Sequence, residues 1–209
     1  MHYIDLLLET VLVKKLHPRY LGYCVILMAA SFSSFANMVN QVNADVIKET
    51  TLNNASQSIE WFKYSQGVAR WMWFDVYQAT LLLEQKSAHK NYTVGELLSE
   101  KMPLKLELCY QREVTPKQFI EGANHVLPTE LPEPLQQQVN RLHSHYQTVN
   151  KGDCYALVYL AKEQTTQLNL NGQTVFSTDV PGFKSLYFGI WLGQNPLSIS
   201  LKEALLKEG

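Results

Sequence analysis

Arg70 is the residue whose type and surroundings point most directly to binding chemistry. It stands in a β-rich stretch and is followed by the apolar run Trp71-Met72-Trp73-Phe74. A buried guanidinium needs a partner, because burying an unpaired charge is costly. Arg70 could therefore clamp the carboxylate or phenolate of an apolar ligand through paired hydrogen bonds. Alternatively, its head group could reach solvent or pair with Asp75 or a nearby Glu.

Aromatic residues supply the other candidates for a ligand-binding site. Tyr77 follows Arg70 by seven residues, and in one continuous strand this odd spacing places the two on opposite faces unless a bulge intervenes. Near the C-terminus four aromatic residues recur at helical spacing: Phe183, Tyr187, Phe188 and Trp191. This pattern is typical of a core-facing helix. The same side chains would line a cleft if one separates the helix from a sheet.

The sequence lacks the common motifs of hydrolases, nucleotide-binding proteins and zinc enzymes. It contains no GxSxG, GxxxxGK[ST], GxGxxG or HExxH pattern. His143 and His145 come closest to a metal-binding pair, but residues i and i+2 of a helix do not face each other. We therefore expect neither a metal site nor a cofactor, and we assign no catalytic residue.

Composition and charge indicate one ordinary globular domain, with or without an appendage. The 209 residues are 46% hydrophobic, and 18 Lys and Arg oppose 19 Asp and Glu. These proportions exclude a collagen, a coiled coil and a disordered acidic chain. The net charge of −1 lacks the basic excess that phosphate contacts require of a nucleic-acid-binding protein. We therefore expect no nucleic-acid partner.

Residues 1–36 are predicted to form a signal peptide or an N-terminal hydrophobic segment. Basic residues at 14–19 precede the apolar run Tyr20–Ala30, and Ser34-Phe35-Ala36 resembles a cleavage site. Val42-Asn43-Ala44 would allow cleavage as late as residue 44. The run is shorter than the roughly 20 residues that span a membrane. This favours export, to the periplasm or a similar compartment, over anchoring, and the uncleaved segment is the only membrane contact that we predict.

Export would decide the state of the cysteines. Cleavage would remove Cys24 and leave Cys109 and Cys154, and two cysteines in an oxidising compartment can pair. Both lie in predicted strands, which is compatible with a bridge but does not bring them within reach. A disulfide and a pair of buried thiols are both left open.

The elements that must position these residues belong to one domain, residues 60–209, which follows a polar lead-in, residues 45–59. Residues 61–83 are β-rich, 104–110 alternate, and strands are predicted at 154–161, 165–170 and 173–178. Asn171-Gly172 predicts a tight hairpin. Helices are predicted at 93–100, 116–126, 135–149, 183–192 and 201–207. Because strands and helices do not alternate throughout, we predict an α+β fold: a mainly antiparallel sheet with helices on one face.

Several segments, in their order and spacing, resemble the bacterial branch of the chalcone isomerase-like family. They are Gly67-Val-Ala-Arg70-Trp, Phe74-Asp-Val-Tyr77-Gln-Ala79, Pro103-Leu-Lys-Leu-Glu-Leu-Cys-Tyr110, Lys151-Gly152-Asp153, Leu170-Asn171-Gly172 and Trp191-Leu192-Gly193-Gln-Asn-Pro196-Leu197-Ser198. Together they cover about residues 60–206. The resemblance implies an open-faced sandwich, in which a large antiparallel sheet carries a helical layer and a ligand cleft lies between them.

The resemblance also implies which positions would act on a ligand. The plant enzymes close a flavanone ring and position the substrate with an Arg, a Thr, a Tyr and an Asn. Carried over by motif, the Thr position falls at Tyr77, the Tyr position near Phe119 and the Asn position near Val126. Phe119 cannot polarise a ketone and Val126 cannot bind a phenolate, so we expect no chalcone cyclisation.

Three functions agree with these observations. The fatty-acid-binding members of the family hold a carboxylate with an Arg and a Tyr, parts that Arg70 and Tyr77 could play, with Phe119, Tyr187 and Trp191 lining the cleft. We therefore expect an exported, non-catalytic binder of a fatty acid or another small apolar or amphiphilic acid. The alternatives are an intramolecular lyase with a relocated site and a structural envelope protein whose cleft is filled by its own side chains.

Overall fold

The computed structural model describes residues 59–84 and 91–207, all of which belong to one compact unit spanning residues 57–209. The predicted signal segment at residues 1–36, the later cleavage site at 44 and Cys24 lie outside the described residues. So does all of the predicted lead-in except residue 59.

In the part of the chain that the structure describes, six strands form one antiparallel sheet, and each strand pairs with the next along the chain. The strands are β1 (Trp61–Trp71), β2 (Phe74–Glu84), β3 (Leu104–Tyr110), β4 (Cys154–Leu160), β5 (Thr165–Leu170) and β6 (Gln173–Thr178). Between β5 and β6, Asn171 and Gly172 have φ of 49° and 83°, as the predicted tight hairpin turn requires. The prediction of an α+β fold with a large antiparallel sheet is confirmed.

Five helices of the described residues accompany the sheet. They are α1 (Val94–Leu98), α2 (Pro116–Val126), α3 (Glu133–Ser144), α4 (Phe183–Leu192) and α5 (Ile199–Leu206). The prediction of a helix to residue 149 was wrong, because Val149 exchanges backbone hydrogen bonds with Val114 instead of continuing α3. None of the described helices is long and apolar enough to cross a membrane.

One face of the sheet carries most of the core. Residues at every second position of β2 and β3 are buried on that face, as strand geometry requires when a sheet is covered on one side. Helices α2 and α4 cover it, since Phe119 and Tyr187 share a cavity with Leu108 and Tyr110. At the edge, α5 packs closely on β1, where a Cβ on Gly67 would lie only 2.8 Å from Ala204 Cβ.

The β-rich stretch at residues 61–83 is two strands rather than one. The chain reverses at Met72-Trp73, and Met72 takes a left-handed conformation with φ of 57°. No Gly or Asn marks this turn, which is why the sequence pattern hides it. The reversal makes Ala69 face Tyr77 across the hairpin, while Arg70 faces Asp75 after a register shift.

Candidate functional site

A cavity of about 460 Å³ lies between the sheet and the helical layer. Its size falls within the range of pockets that hold small molecules. Its wall includes all five residues that the sequence put forward for ligand binding: Arg70, Tyr77, Phe119, Tyr187 and Trp191. The strands supply the floor and helices α2 and α4 supply the roof, so the fold brings together residues that lie far apart along the chain.

Tyrosines dominate the interior of this cavity. Five of them line it, three from strands, one from the segment after α3 and one from α4: Tyr77, Tyr110, Tyr155, Tyr146 and Tyr187. Tyr110 stands at the centre of the floor, with its ring centroid 5.5 Å from that of Tyr77 and 5.4 Å from that of Phe119. Edge-to-face contacts of this kind hold aromatic rings in defined positions, so the wall is rigid.

Most of the tyrosine hydroxyls are already engaged. The Trp191 indole N–H donates to the Tyr77 hydroxyl over 3.0 Å, and the Tyr146 and Tyr187 hydroxyls share a hydrogen bond of 2.7 Å. The backbone N–H of Gln147 donates to the Tyr155 hydroxyl. Within the described residues the Tyr110 hydroxyl has no hydrogen-bond partner.

Burial keeps these phenols protonated. Desolvation raises the pKa of Tyr77, Tyr110, Tyr146 and Tyr187 above the ordinary value of a tyrosine. For Tyr110, the neighbouring tyrosines raise the pKa further. A protonated phenol donates hydrogen bonds but is neither a base nor a nucleophile near neutral pH. The interior therefore presents uncharged aromatic surface rather than reactive groups.

His143 is a titratable group that lies close to this wall without lining it. Its ring centroid lies 5.9 Å from that of Tyr146 and 6.2 Å from that of Tyr187. Burial lowers the pKa of His143, and its Nε2 is buried without a hydrogen-bond partner in the described structure. The described residues contain no group of three or more His, Cys, Asp or Glu placed to hold a metal ion.

The described charged residues of the wall lie at its solvent-exposed edge: Arg70, Arg112, Glu113 and Glu121. Arg70 lies there, with its Nε 2.7 Å from Asp75 Oδ1, and the two side chains are 64% and 50% exposed. The guanidinium is therefore not buried in an apolar strand, and it has the Asp75 partner that the alternative interpretation named. Because a turn separates Arg70 from Tyr77, the argument from their spacing in one strand does not apply, and both residues line the cavity.

Arg112 also lies at the exposed edge of the cavity, and it was not among the binding residues predicted from the sequence. It follows the end of β3, lines the cavity and places its Cζ 5.7 Å from the centroid of the Phe74 ring. Unlike Arg70, it makes no salt bridge with any described residue. Its only signal in the sequence is its position two residues after the alternating strand ends.

Phe119 and Val126, near which the family resemblance placed the Tyr and the Asn of the plant enzymes, have different surroundings. Phe119 lines the cavity and stacks on Tyr146 with ring centroids 4.8 Å apart. Val126 is not part of the cavity wall and packs, partly buried, against the core. Neither side chain can donate a hydrogen bond to a ligand.

Cys109 and Cys154 form a disulfide with an S–S distance of 2.05 Å. The two residues face each other across β3 and β4. Their neighbours Leu108, Tyr110 and Tyr155 line the cavity, so strand alternation places the disulfide on the opposite face of the sheet. The bridge therefore supports the floor of the cavity from behind and takes no part in its wall.

Comparison with known proteins assigns the family. The model of the chalcone isomerase-like family matches residues 64–207, and the chain therefore belongs to this family. Among curated proteins, none matches the chain. A solved structure with a similar fold is a fatty-acid-binding protein of Arabidopsis thaliana, which matches with a TM-score of 0.52 and 11% identity over 70% of this chain and 86% of that one.

Proposed function

We propose that this chalcone isomerase-like protein binds a long-chain fatty acid or a similar apolar acid in its cavity and does not transform it. The observation that carries the proposal is the distribution of polarity in the cavity. Aromatic and aliphatic side chains form the interior, and the charged residues of the wall, Arg70, Arg112, Glu113 and Glu121, are all exposed to solvent. The structural similarity to a fatty-acid-binding protein supports the same class of ligand.

The distribution also indicates how the acid would lie. Placing a carboxylate among neutral phenols would cost desolvation energy, which no buried cation among the described wall residues offsets. At the mouth, Arg112 offers a guanidinium without a salt bridge among the described residues, and Arg70 shares its own with Asp75. We therefore place the alkyl chain in the interior and the carboxylate at the mouth, next to Arg112.

Absence of catalysis is part of the proposal. Ring closure of a chalcone requires groups that polarise the ketone and hold the phenolate, and donors of this kind supply most of the stabilisation in such sites. Phe119 and Val126 provide neither. The protonated tyrosines can orient a ligand, but they cannot remove a proton from it at neutral pH.

Titration calorimetry of the purified protein with palmitate tests the binding. We expect one site, with hexadecanol binding more weakly because it lacks the carboxylate. Arg112→Ala should weaken palmitate binding by about 1.5–3 kcal/mol, the scale of a hydrogen bond to a charged group. Arg141→Ala is the matched control, since Arg141 lies over the Phe176 ring, outside the cavity.

A second variant separates binding in the cavity from binding elsewhere. Ala123 is buried in the cavity wall, and Ala123→Phe would fill part of the space that the alkyl chain needs. Palmitate binding that persists unchanged in a folded Ala123→Phe protein would refute the proposed location. Saturable isomerisation of a chalcone above its spontaneous rate would instead favour the lyase alternative.

We further propose that the protein is exported, with cleavage after Ala36 or Ala44. The order of basic, apolar and small residues in positions 14–36 supports this, and so does the Cys109–Cys154 disulfide, since disulfides persist mainly in oxidising compartments. N-terminal sequencing of the protein recovered from its native cells tests it. An intact N-terminus on a cytosolic protein would contradict export.

A further inference from the structure

We propose that the tip of the β1–β2 hairpin inserts into the surface of a phospholipid membrane next to the mouth of the cavity. The tip consists of Trp71, Met72, Trp73 and Phe74, and we refer to it as the aromatic tip. It is a surface contact rather than a span, and it is separate from the N-terminal segment discussed above. It follows from exposure, shape and charge, not from the identity of the cavity's ligand.

The aromatic tip exposes four large apolar side chains in succession. Trp71, Met72, Trp73 and Phe74 are 65%, 63%, 76% and 51% exposed. Isolated apolar residues are common on protein surfaces, but a contiguous run of large apolar side chains marks an interaction site. Here the run sits at the end of a hairpin, where it extends the sheet into solvent.

The shape of the tip favours a fluid surface over a protein partner. The cross-strand partners Trp71 and Phe74 end β1 and begin β2, and Met72 and Trp73 form the turn that joins them, so the tip is the free end of a hairpin. A protein surface would cover one side of such a hairpin, whereas immersion in lipid covers all sides. Each arm of the tip holds two residues, one in a strand and one in the turn, which together extend roughly 7 Å, within the roughly 5–10 Å to which interfacial segments enter a membrane.

The residue types and charges match the layers of a membrane surface. Tryptophan concentrates at the boundary between head groups and acyl chains, and the tip holds two of the four tryptophans of the chain. No charge lies within the tip. At its base stand the Arg70–Asp75 pair and Arg112, whose Cζ lies 5.7 Å from the Phe74 ring centroid. With Phe74 at the acyl boundary, the Arg112 guanidinium would meet the lipid phosphates.

The tip also adjoins the cavity. Trp71 is exposed to solvent and also lines the cavity. The same is true of Leu197, which lies in the segment before α5. Among the described residues, every exposed large apolar side chain lies either in the tip or at Leu197 and Ile199. Each of the two exposed apolar segments therefore contributes one residue to the cavity wall, and a membrane that meets the tip would lie next to that wall.

Quenching of tryptophan fluorescence by brominated phosphatidylcholine vesicles tests the insertion in the full chain. We expect quenching of Trp71 and Trp73, and we expect Trp71→Phe/Trp73→Phe to remove it. Trp61→Phe is the matched control, because Trp61 stands at the other end of β1. Quenching should occur without anionic lipid, because the charges at the base of the tip are mixed.

Met72→Asp tests the same membrane contact and keeps both fluorescent reporters, Trp71 and Trp73. Asp is tolerated in the left-handed conformation of Met72 better than most residues, and Met72 does not line the cavity. We expect quenching to fall by about tenfold or more, since a charge enters a membrane at high cost, with palmitate binding in solution unchanged. Two results would overturn the proposal: no quenching of the wild-type tip, or a tip buried by concentration-dependent self-association without vesicles.

Discussion

The two ends of helix α4 show how one sheet and one helix can enclose both a filled core and an empty cavity. At its N-terminal end, Phe183 and Lys184 are fully buried and lie outside the cavity wall. Three to eight residues later, Tyr187 and Trp191 form part of that wall. We refer to these as the closed end and the open end of the domain.

At the closed end, the side chain of Lys184 fills the space between the layers. Lys184 is 1% exposed, and its ammonium donates to the backbone carbonyls of Ser99 and Met102. It also lies 4.5 Å from the centroid of the Tyr159 ring. A buried charge is tolerated when its hydrogen bonds are made, so this end is closed by polar contacts as well as by apolar packing.

At the open end, side chains support one another around a space that they do not fill. The Trp191–Tyr77 and Tyr146–Tyr187 hydrogen bonds join pairs of wall residues, and their rings hold each other apart. The comparison teaches that substitutions at the closed end should act on stability, whereas substitutions at the open end should act on binding.

Phe183→Ala should have the largest effect on stability. Phe183 is fully buried, stacks on Tyr187 with ring centroids 5.4 Å apart and contacts Phe176. Truncating a buried Phe removes apolar contacts and leaves a cavity, which typically costs about 3–5 kcal/mol. Urea unfolding should show this loss, and Trp191→Phe at the open end should lose less than half as much. Equal losses from the two variants would contradict the distinction between the ends.

The disulfide should be the next largest contribution, and it supports the open end. Cys109 and Cys154 are 45 residues apart in sequence and lie behind the cavity floor. By the chain-entropy relation, closing a loop of that length stabilises the folded state by about 4 kcal/mol, and measured values are often lower. We expect Cys109→Ser/Cys154→Ser to lower the free energy of unfolding by about 2–4 kcal/mol and to weaken palmitate binding. A stability unchanged under reducing conditions would contradict this.

The pH dependence of stability should come from the closed end. Burial lowers the pKa of Lys184 to about 7, and the carboxylate of Glu100 limits the decrease. In the unfolded chain a lysine has a pKa of about 10.4. Between these values the unfolded state binds a proton that the folded state lacks, so the free energy of unfolding rises with pH, by at most about 1.4 kcal/mol per unit. Below pH 7 both states bind it, and this dependence vanishes.

Urea unfolding between pH 6 and 9 measures this slope. Lys184→Met should remove most of the rise above pH 7 in a protein that remains folded. Above about pH 10 the trend should reverse, because the buried tyrosines Tyr110 and Tyr187 keep protons that the unfolded chain releases. Stability that falls steadily from pH 7 to 9 would contradict the assignment to Lys184.

Much of the fold could be predicted from the sequence, because its local signals are strong. Alternation from Leu104 to Tyr110, Pro116 after Thr115 and the Asn171-Gly172 turn each specify one element, and the structure has all three. The turn at Met72-Trp73 could not be predicted, since its residues are those of a strand. The C-terminal end of α3 could not be predicted either, because the pairing of Val149 with Val114 is a tertiary contact.

The candidate site was predictable in part, for a related reason. Residue type identified aromatic candidates, but the cavity wall depends on strand register. Register brings Tyr110 opposite Tyr77 and Cys109 opposite Cys154, and no local pattern encodes such pairings. Arg112 was missed because an arginine after a strand resembles an ordinary solvent-exposed residue.

Arg70→Ala should have the smallest effect on the free energy of unfolding, because Arg70, unlike Lys184, is exposed to solvent. The Arg70–Asp75 pair is mostly exposed, and exposed pairs contribute about 0.2–1 kcal/mol, so the free energy of unfolding should change by less than about 1 kcal/mol. Because Asp75 already neutralises this guanidinium, Arg70→Ala should lower palmitate affinity less than Arg112→Ala does. Arg70→Lys should recover only part of the loss, since lysine lacks the planar, bidentate donor geometry of a guanidinium. Titration calorimetry of Arg70→Ala, Arg70→Lys and Arg112→Ala with palmitate measures the order of their affinities. If Arg70→Ala weakens binding more than Arg112→Ala does, the carboxylate lies at Arg70, and Asp75 must release it when the acid binds.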